Sequence, residues 1–236
     1  MSEEAKATKE LEHLIRSRYS LIYIVSHEES RVIDIVTSIA KKLEMEHFFW
    51  TCSRGFTPTS DVHVNIANEG LDQKIYDPKA MLDWLSKNGS LQRSANSHEI
   101  YSLLDFHPFI DEVSIKRLLR DISIQFHSEG RTIIFISPLL LLPPELEKDV
   151  TVIDWPLPDK NILEEIFQEV YTPIEKKCPN IKKISPLYPK MVEGALGLTA
   201  NEAENIFVKT SVQLSEDDKL DPIQSILGEK KQVIRK

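Results

Sequence analysis

LIYIVSHEESRVIDIVTSIAKKL, residues 21–43, is the stretch on which the fold turns. Its first five residues form a continuous apolar run rather than an alternating one, the pattern of a strand covered by helices on both faces of a parallel sheet. From Glu28 to Leu43 the apolar residues Val32, Ile33, Val36, Ile39, Ala40 and Leu43 return at helical spacing. Together they read as a strand, Ser20 to Val25, feeding a helix.

The pattern recurs on both sides of this unit. Leu11, Leu14 and Ile15 form an apolar stripe in a charged segment, so Lys6 to Arg18 is expected to be an amphipathic helix leading into the fold. Further strands are expected at Phe48 to Cys52, Glu99 to Asp105, Thr132 to Ser137 and Val150 to Asp154, with helices from Pro78 to Leu85 and from Ser114 to His127 between them. Strands alternating with helical patterns imply a doubly wound α/β fold with a five-stranded parallel sheet. The stretch from Gly55 to Lys74 is too polar to assign. After WPLPD the strand pattern stops and helices are expected to the end. Asp159 caps one of them, Ser185 and Pro186 open a second, Thr199 and Glu202 form the capping box of a third, and Asp221 and Pro222 begin the last. The expected division is therefore an α/β domain over 1–158 and a helical region over 159–236.

Composition narrows the functional classes. The 236 residues carry a formal net charge of −8, which opposes a sequence-independent grip on nucleic acid, where clustered Lys and Arg must displace counterions. A DNA-binding subunit of related fold is opposed on the same ground. Cys52 and Cys178 show no CxxC or metal spacing and read as ordinary thiols of a reducing compartment. The acidic, polar start argues against a secretory signal, and no apolar run approaches the roughly 20 residues that span a bilayer. A cytoplasmic protein with no membrane partner is expected. The terminal Lys230, Lys231, Arg235 and Lys236 read as a charged helix end.

In open α/β sheets ligands bind outside the carboxyl ends of the strands. The residues to weigh are therefore Ser26 and His27 after the first strand, Asp105 after the third and Ser137 after the fourth. A phosphate-binding version of the fold places G-x-x-x-x-G-K-[ST] after its first strand, because glycines let backbone amides close around phosphate and lysine neutralises it. Here the order is Ser26-His27-Glu28-Glu29-Ser30-Arg31, with neither glycine nor lysine. Ser26 and Glu29 have the spacing of a capping box, and Glu28 and Glu29 set negative charge at the positive end of the helix dipole. Such a loop is expected to cap itself and repel phosphate. His27, His107 and Asp105 have no metal-ligand spacing, and neither a metal site nor a catalytic set is expected.

Seven stretches together resemble a known family: LIRSRYSLIYIVSHEESRV (14–32), WTCSRGF (50–56), LLDFHPFI (103–110), IKRLLRDI (115–122), IIFISPLLLLPPELEKDVTVIDWPLPD (133–159), GLTANEAENIF (197–207) and EKKQVIRK (229–236). They are similar to the N-terminal half of the AAA-type ATPases called hypothetical chloroplast reading frame forty-six. The resemblance implies a degenerate AAA domain with sheet order 5-1-4-3-2 and a C-terminal helical lid, followed in family members by a second AAA domain with an intact phosphate loop. By position, Ser26 to Arg31 replace the phosphate loop, Asp105 takes the magnesium-aspartate position, and Ser137 stands where a polar sensor would lie. Ser26, His27, Asp105 and Ser137 would then outline a vestigial nucleotide site. Glu145 to Asp149, where active members place arginines for a neighbouring subunit, contains none.

The expectation is a non-catalytic AAA-like module acting through protein contacts, with an AAA domain of the same or a related protein as partner and a homo-oligomer as one form. No cofactor is expected for this chain; ATP and magnesium belong to the full-length family. The alternative is a nucleotide-binding ATPase with an aberrant phosphate loop.

Overall fold

The computed structural model describes residues 2–58, 75–87, 98–177, 185–217 and 220–235. Cys178 and most of the unassigned polar stretch before Lys74 lie outside them. The chain divides into two compact units, Ala5–Trp155 and Pro156–Lys236, the latter together with Met1–Glu4.

The first unit contains α1 (Glu3–Arg16, by its greater part), β1 (Leu21–Val25), α2 (Glu29–Lys42), β2 (Glu46–Thr51), β3 (Gly55–Pro58), α3 (Pro78–Lys87), β4 (Glu99–Leu104), α4 (Val113–Glu129), β5 (Thr132–Ser137) and β6 (Thr151–Asp154). The sheet order is β3-β2-β4-β5-β1-β6. The five expected strands stand in the expected order, all parallel, with β1 between β5 and β6. The sheet has a sixth strand beyond the five expected. After Thr51 the chain reverses, Gly55 takes φ 70°, and β3 returns antiparallel to β2 at the edge. Glycine adopts that left-handed backbone without a Cβ penalty.

Both faces of the sheet are covered, which is why the strands read as unbroken apolar runs. One face sets Tyr23, Trp50, Tyr101 and Phe135 against Leu82 of α3 and Leu119 and Phe126 of α4. The other sets Ile22, Ile24, Ile134 and Ile136 against Leu11 of α1 and Val32 and Val36 of α2. Every residue of β4 and β5 is buried, so the polar ones among them must find partners.

Two clusters do this. Glu99, fully buried at the head of β4, faces Arg131, 2% exposed, with Oε2 3.5 Å from Nε. The Tyr101 hydroxyl donates to Glu99 and accepts from Arg131 Nη2 at 3.1 Å. Arg131 Nη1 donates to Glu129 at 2.7 Å, and the guanidinium lies 3.9 Å from the centroid of the Phe126 ring. Glu99 and Arg131 are thereby neutralised across the β4–β5 pair. Gly130, between α4 and Arg131, sits at φ 70°, and a Cβ there would meet His98 Nδ1 at 2.5 Å.

His47 of β2 is the second cluster. It is buried between Thr37 Oγ1 of α2, 3.0 Å from Nδ1, and Ser102 Oγ of β4, 2.8 Å from Nε2. Burial lowers its pKa to about 4.

The second unit is helical among the described residues: α5 (Lys160–Lys177), α6 (Tyr188–Ala195), α7 (Ala200–Glu216) and α8 (Pro222–Ile234). The helix expected to open at Ser185 and Pro186 begins instead at Tyr188, after a 3-10 turn over 185–187 and with Leu187 as N-cap; the other three starts form as expected. Asp159 Oδ1 accepts from the amides of Asn161 and Ile162, Thr199 and Glu202 make the reciprocal capping box, and Asp221 accepts from Ile223 and Gln224. Its core is built on Phe167, stacked on Tyr171 one turn away at 4.1 Å and edge-on to Phe207 at 5.1 Å.

His47 generates a prediction about acid. The unfolded imidazole takes up a proton below about pH 6.5 and the folded one only near pH 4, so its contribution is complete above 6.5 and is lost as pH falls toward 4. Urea unfolding of the parent is expected to show this group costing about 2 kcal/mol of stability between pH 7.5 and pH 5. His47→Gln is expected to remove that part of the slope, and parallel pH profiles for the two proteins would exclude the mechanism.

Candidate functional site

The carboxyl ends of the central strands are joined by backbone hydrogen bonds. Asp105 N–H donates to Ile136 O at 3.0 Å, Ser26 N–H to Ser137 O at 2.9 Å and Trp155 N–H to Val25 O at 3.0 Å. The ladder thus runs one residue past β4, β1 and β6, and it brings Ser26, Asp105 and Ser137 to neighbouring strand ends. His27, the fourth candidate, is exposed in the turn between β1 and α2.

This extension of the ladder corrects one expectation. Ser26 is held in the sheet, so α2 starts later than a capping box from Ser26 requires. Glu28 is the N-cap, without a side-chain cap bond, and Glu29 is the first helical residue instead of the third. Ser26 Oγ accepts from the Glu28 amide at 2.9 Å. The closure of the turn lies elsewhere, in Glu28, whose buried carboxylate forms an ion pair with Arg31 one turn along the helix. The arginine of the loop is committed to that acid.

The open side of the turn is acidic. Partial desolvation of Glu29, and then the negative charge of Asp105, hold the Glu29 carboxyl above its ordinary range, with Arg54 of the β2–β3 turn pulling the other way. Asp105 has φ 50° and a side chain 61% exposed, with Oδ1 3.9 Å from His107 Nδ1. A left-handed backbone is tolerated by Asp better than by most residues, which suits the strand-end turn it makes. Ser137 is 1% exposed, and its Oγ finds no hydrogen-bond partner among the described residues. The residues present do not fit a triphosphate. Phosphate recognition at a helix N-terminus needs approachable amides and favourable charge, and here a serine hydroxyl occupies the Glu28 amide, an acid occupies the arginine, and Glu29 and Asp105 face the approach.

The stretch Glu145 to Asp149 enters a 3-10 turn, Pro144–Leu146. Two of its acids pair with cations of α4: Glu145 with Lys116 at 3.2 Å and Asp149 with Arg120 at 3.3 Å. The loop before it, from Pro138, exposes Leu139, Leu140 and Leu141 at 56, 48 and 49%. Its backbone is held by the buried Tyr23, whose hydroxyl donates to Leu139 O at 2.6 Å. Among the described residues no group of three or more His, Cys, Asp or Glu is placed to hold a metal ion, and no helix is long and apolar enough to cross a membrane.

Sequence reasoning missed the Glu28–Arg31 pair, although its i, i+3 spacing of opposite charge was visible, and Arg54, which only the sheet brings near Glu29.

Comparison with known proteins places this geometry in context. Residues 7–155 match the family described as SpoVK-like AAA ATPase, N-terminal domain. The chain is 27% identical over 230 residues to an uncharacterized AAA domain-containing protein ycf46 of Trieres chinensis, an alignment covering 97% of this chain and 42% of that protein. It spans about two-fifths of the length of the curated relatives it matches. Among solved structures, it is similar to PCH-2 of C. elegans with a TM-score of 0.59 at 9% identity, covering 99% of this chain and 70% of the other. Domain III of the Thermotoga maritima replication initiation protein DnaA gives a TM-score of 0.51 at 11% identity, with 100% and 95% covered. At such identities these structures establish an AAA-like fold.

If the Glu28–Arg31 pair closes the turn, Arg31→Ala is expected to cost about 3 kcal/mol by stranding a buried carboxylate, and Ser26→Ala about 1 kcal/mol. Adding Glu28→Ala to Arg31→Ala should recover much of the loss. Denaturant unfolding of the double-mutant cycle measures this, and strictly additive losses would show that the pair is not coupled.

Proposed function

The chain belongs to the SpoVK-like AAA ATPase N-terminal domain family, and on that premise we propose that it is a non-catalytic AAA-like module that works through protein contacts. The observation carrying this reading is the β1–α2 turn, where the Glu28–Arg31 pair and Ser26 fill the place that a phosphate loop occupies in an active domain of this fold. Asp105, at the magnesium-aspartate position by resemblance, stands opposite another acid instead of beside a lysine. Charge of the wrong sign opposes both the triphosphate and its transition state. The module would be the N-terminal part of a longer AAA ATPase in which a second domain binds ATP and magnesium.

The contact role is supported by Leu139 to Leu141, three consecutive leucines about half exposed on an anchored loop. Exposed apolar surface held in a fixed conformation is a feature of interaction sites. The partner we infer is an AAA domain of the same or a related protein, in a homo-oligomer or a two-domain chain, in the cytoplasm. Ser26, His27, Asp105 and Ser137 are on this reading a vestigial nucleotide site.

One observation favours the alternative of an ATPase with an aberrant loop: Ser137 Oγ and His107 Nδ1, both beside the strand ends, are buried without hydrogen-bond partners among the described residues. Calorimetric titration of magnesium ATP separates the readings. The parent and Glu29→Lys are both expected to show no saturable binding below about 1 mM, and magnesium-dependent turnover should be the same in the parent and in Asp105→Asn. Micromolar binding by the parent, or turnover abolished by Asp105→Asn, would establish the alternative.

A further inference from the structure

At the opposite end of the strands from Ser26, the turn between α1 and β1, one face of α4 and the approach to β6 line an open cleft of about 490 Å³. Three of its lining residues are basic: Arg18, His127 and Lys148. Among the described residues neither Arg18 nor Lys148 lies within ion-pair distance of a carboxylate. The one acid in the lining, Asp149, is engaged by Arg120. On a chain of net charge −8 this is a local reversal of sign, and a recessed surface of one sign concentrates counter-ions.

The cationic walls also carry hydroxyls. Ser20 Oγ and Ser123 Oγ are hydrogen-bonded to each other at 3.0 Å, an arrangement that uses one hydroxyl proton and leaves the other to donate into the cleft. The positioning is rigid at its root. Arg18 has φ 61°, its N–H donates to Ile15 O at 3.0 Å, and its carbonyl accepts from His127 Nδ1 at 3.0 Å. That bond assigns a proton to Nδ1 and fixes the ring against the Arg18 carbonyl. Tyr19 and Ile124, 45% and 74% exposed, add an aromatic ring and an apolar side chain to the same lining.

We propose that this cleft binds a small dianion of the phosphate monoester type, with Arg18, Lys148 and the Ser20–Ser123 hydroxyls on the phosphate and Tyr19 and Ile124 along the ligand's apolar part. Two cations with no carboxylate partner among the described residues suit a dianion better than a monocarboxylate, and the aromatic lining suits an aryl or heterocyclic ester better than inorganic phosphate. The site is separate from the turn at Ser26 and stands whether or not that turn binds nucleotide.

The test is a titration of the isotopically labelled chain with phenyl phosphate at fixed ionic strength, followed by amide NMR shifts, with benzoate and hexaglutamate as comparison probes. Phenyl phosphate is expected to shift residues 17–20, 123–127 and 148–151 saturably, with a Kd of about 1 mM or tighter, and benzoate is expected to bind more weakly. Arg18→Asn, which keeps a residue tolerant of positive φ, and Lys148→Gln should each weaken binding about tenfold with unchanged thermal melting. Absence of saturation to about 10 mM, equal affinity in both folded variants, or benzoate binding as tightly as phenyl phosphate would overturn the proposal. So would shifts of these amides by hexaglutamate alone, which would assign the cleft to an acidic protein segment.

Discussion

A sheet covered on both faces leaves polar side chains few places to be. Within β4 and β5 all twelve positions are buried, and an ionised or hydrogen-bonding group left there without a partner costs free energy. Glu99 meets this demand through Arg131 and Tyr101, and His47 through Thr37 and Ser102. The same demand pushes unpaired polar groups to the ends of the strands, where the ladder runs out and backbone and side chains turn toward solvent. Asp105 is exposed there, whereas Ser26 and Ser137 stay buried.

At the carboxyl end the chain closes the β1–α2 turn with its own side chains. An active phosphate loop keeps its amides unsatisfied until a ligand arrives, an arrangement that costs stability in the empty state. Here Ser26 takes the Glu28 amide and Glu28 takes Arg31. The turn is complete without a ligand, and the acids outside it raise the electrostatic barrier to phosphate. At the amino end the balance is reversed, since among the described residues no carboxylate pairs with Arg18 or Lys148.

Much of this was legible in the residues. The five parallel strands follow from unbroken runs such as LIYIV and TIIFIS, because a strand buried on both faces has no polar face to alternate with. Their order came from family resemblance, since periodicity carries no information about which strand neighbours which. The sixth strand gives no such signal, because Gly55 to Pro58 is short, lies at an edge and has no apolar run of its own. Ser26 and Glu29 matched the spacing of a capping box, yet the hydrogen bond from Ser26 to Ser137 keeps Ser26 in the sheet, and such a long-range bond is invisible to a local pattern. Glu99 and Arg131 look like any surface charges in sequence; only the pairing of β4 with β5 reveals that both are buried.

The hydrogen bond from Tyr23 to the leucine loop ties two distant properties together. Tyr23 is buried on β1, and its hydroxyl donates to a carbonyl of a loop that presents leucines to solvent. Peeling that loop away would strand a phenol inside the core, so loop opening and loosening of β1 draw on one free energy. A partner that holds the leucines would therefore slow hydrogen exchange deep in the sheet by mass action, and a lesion that loosens the packing around Tyr23 would be felt first as a blurred docking surface. Tyr23 and the leucine loop would then open together.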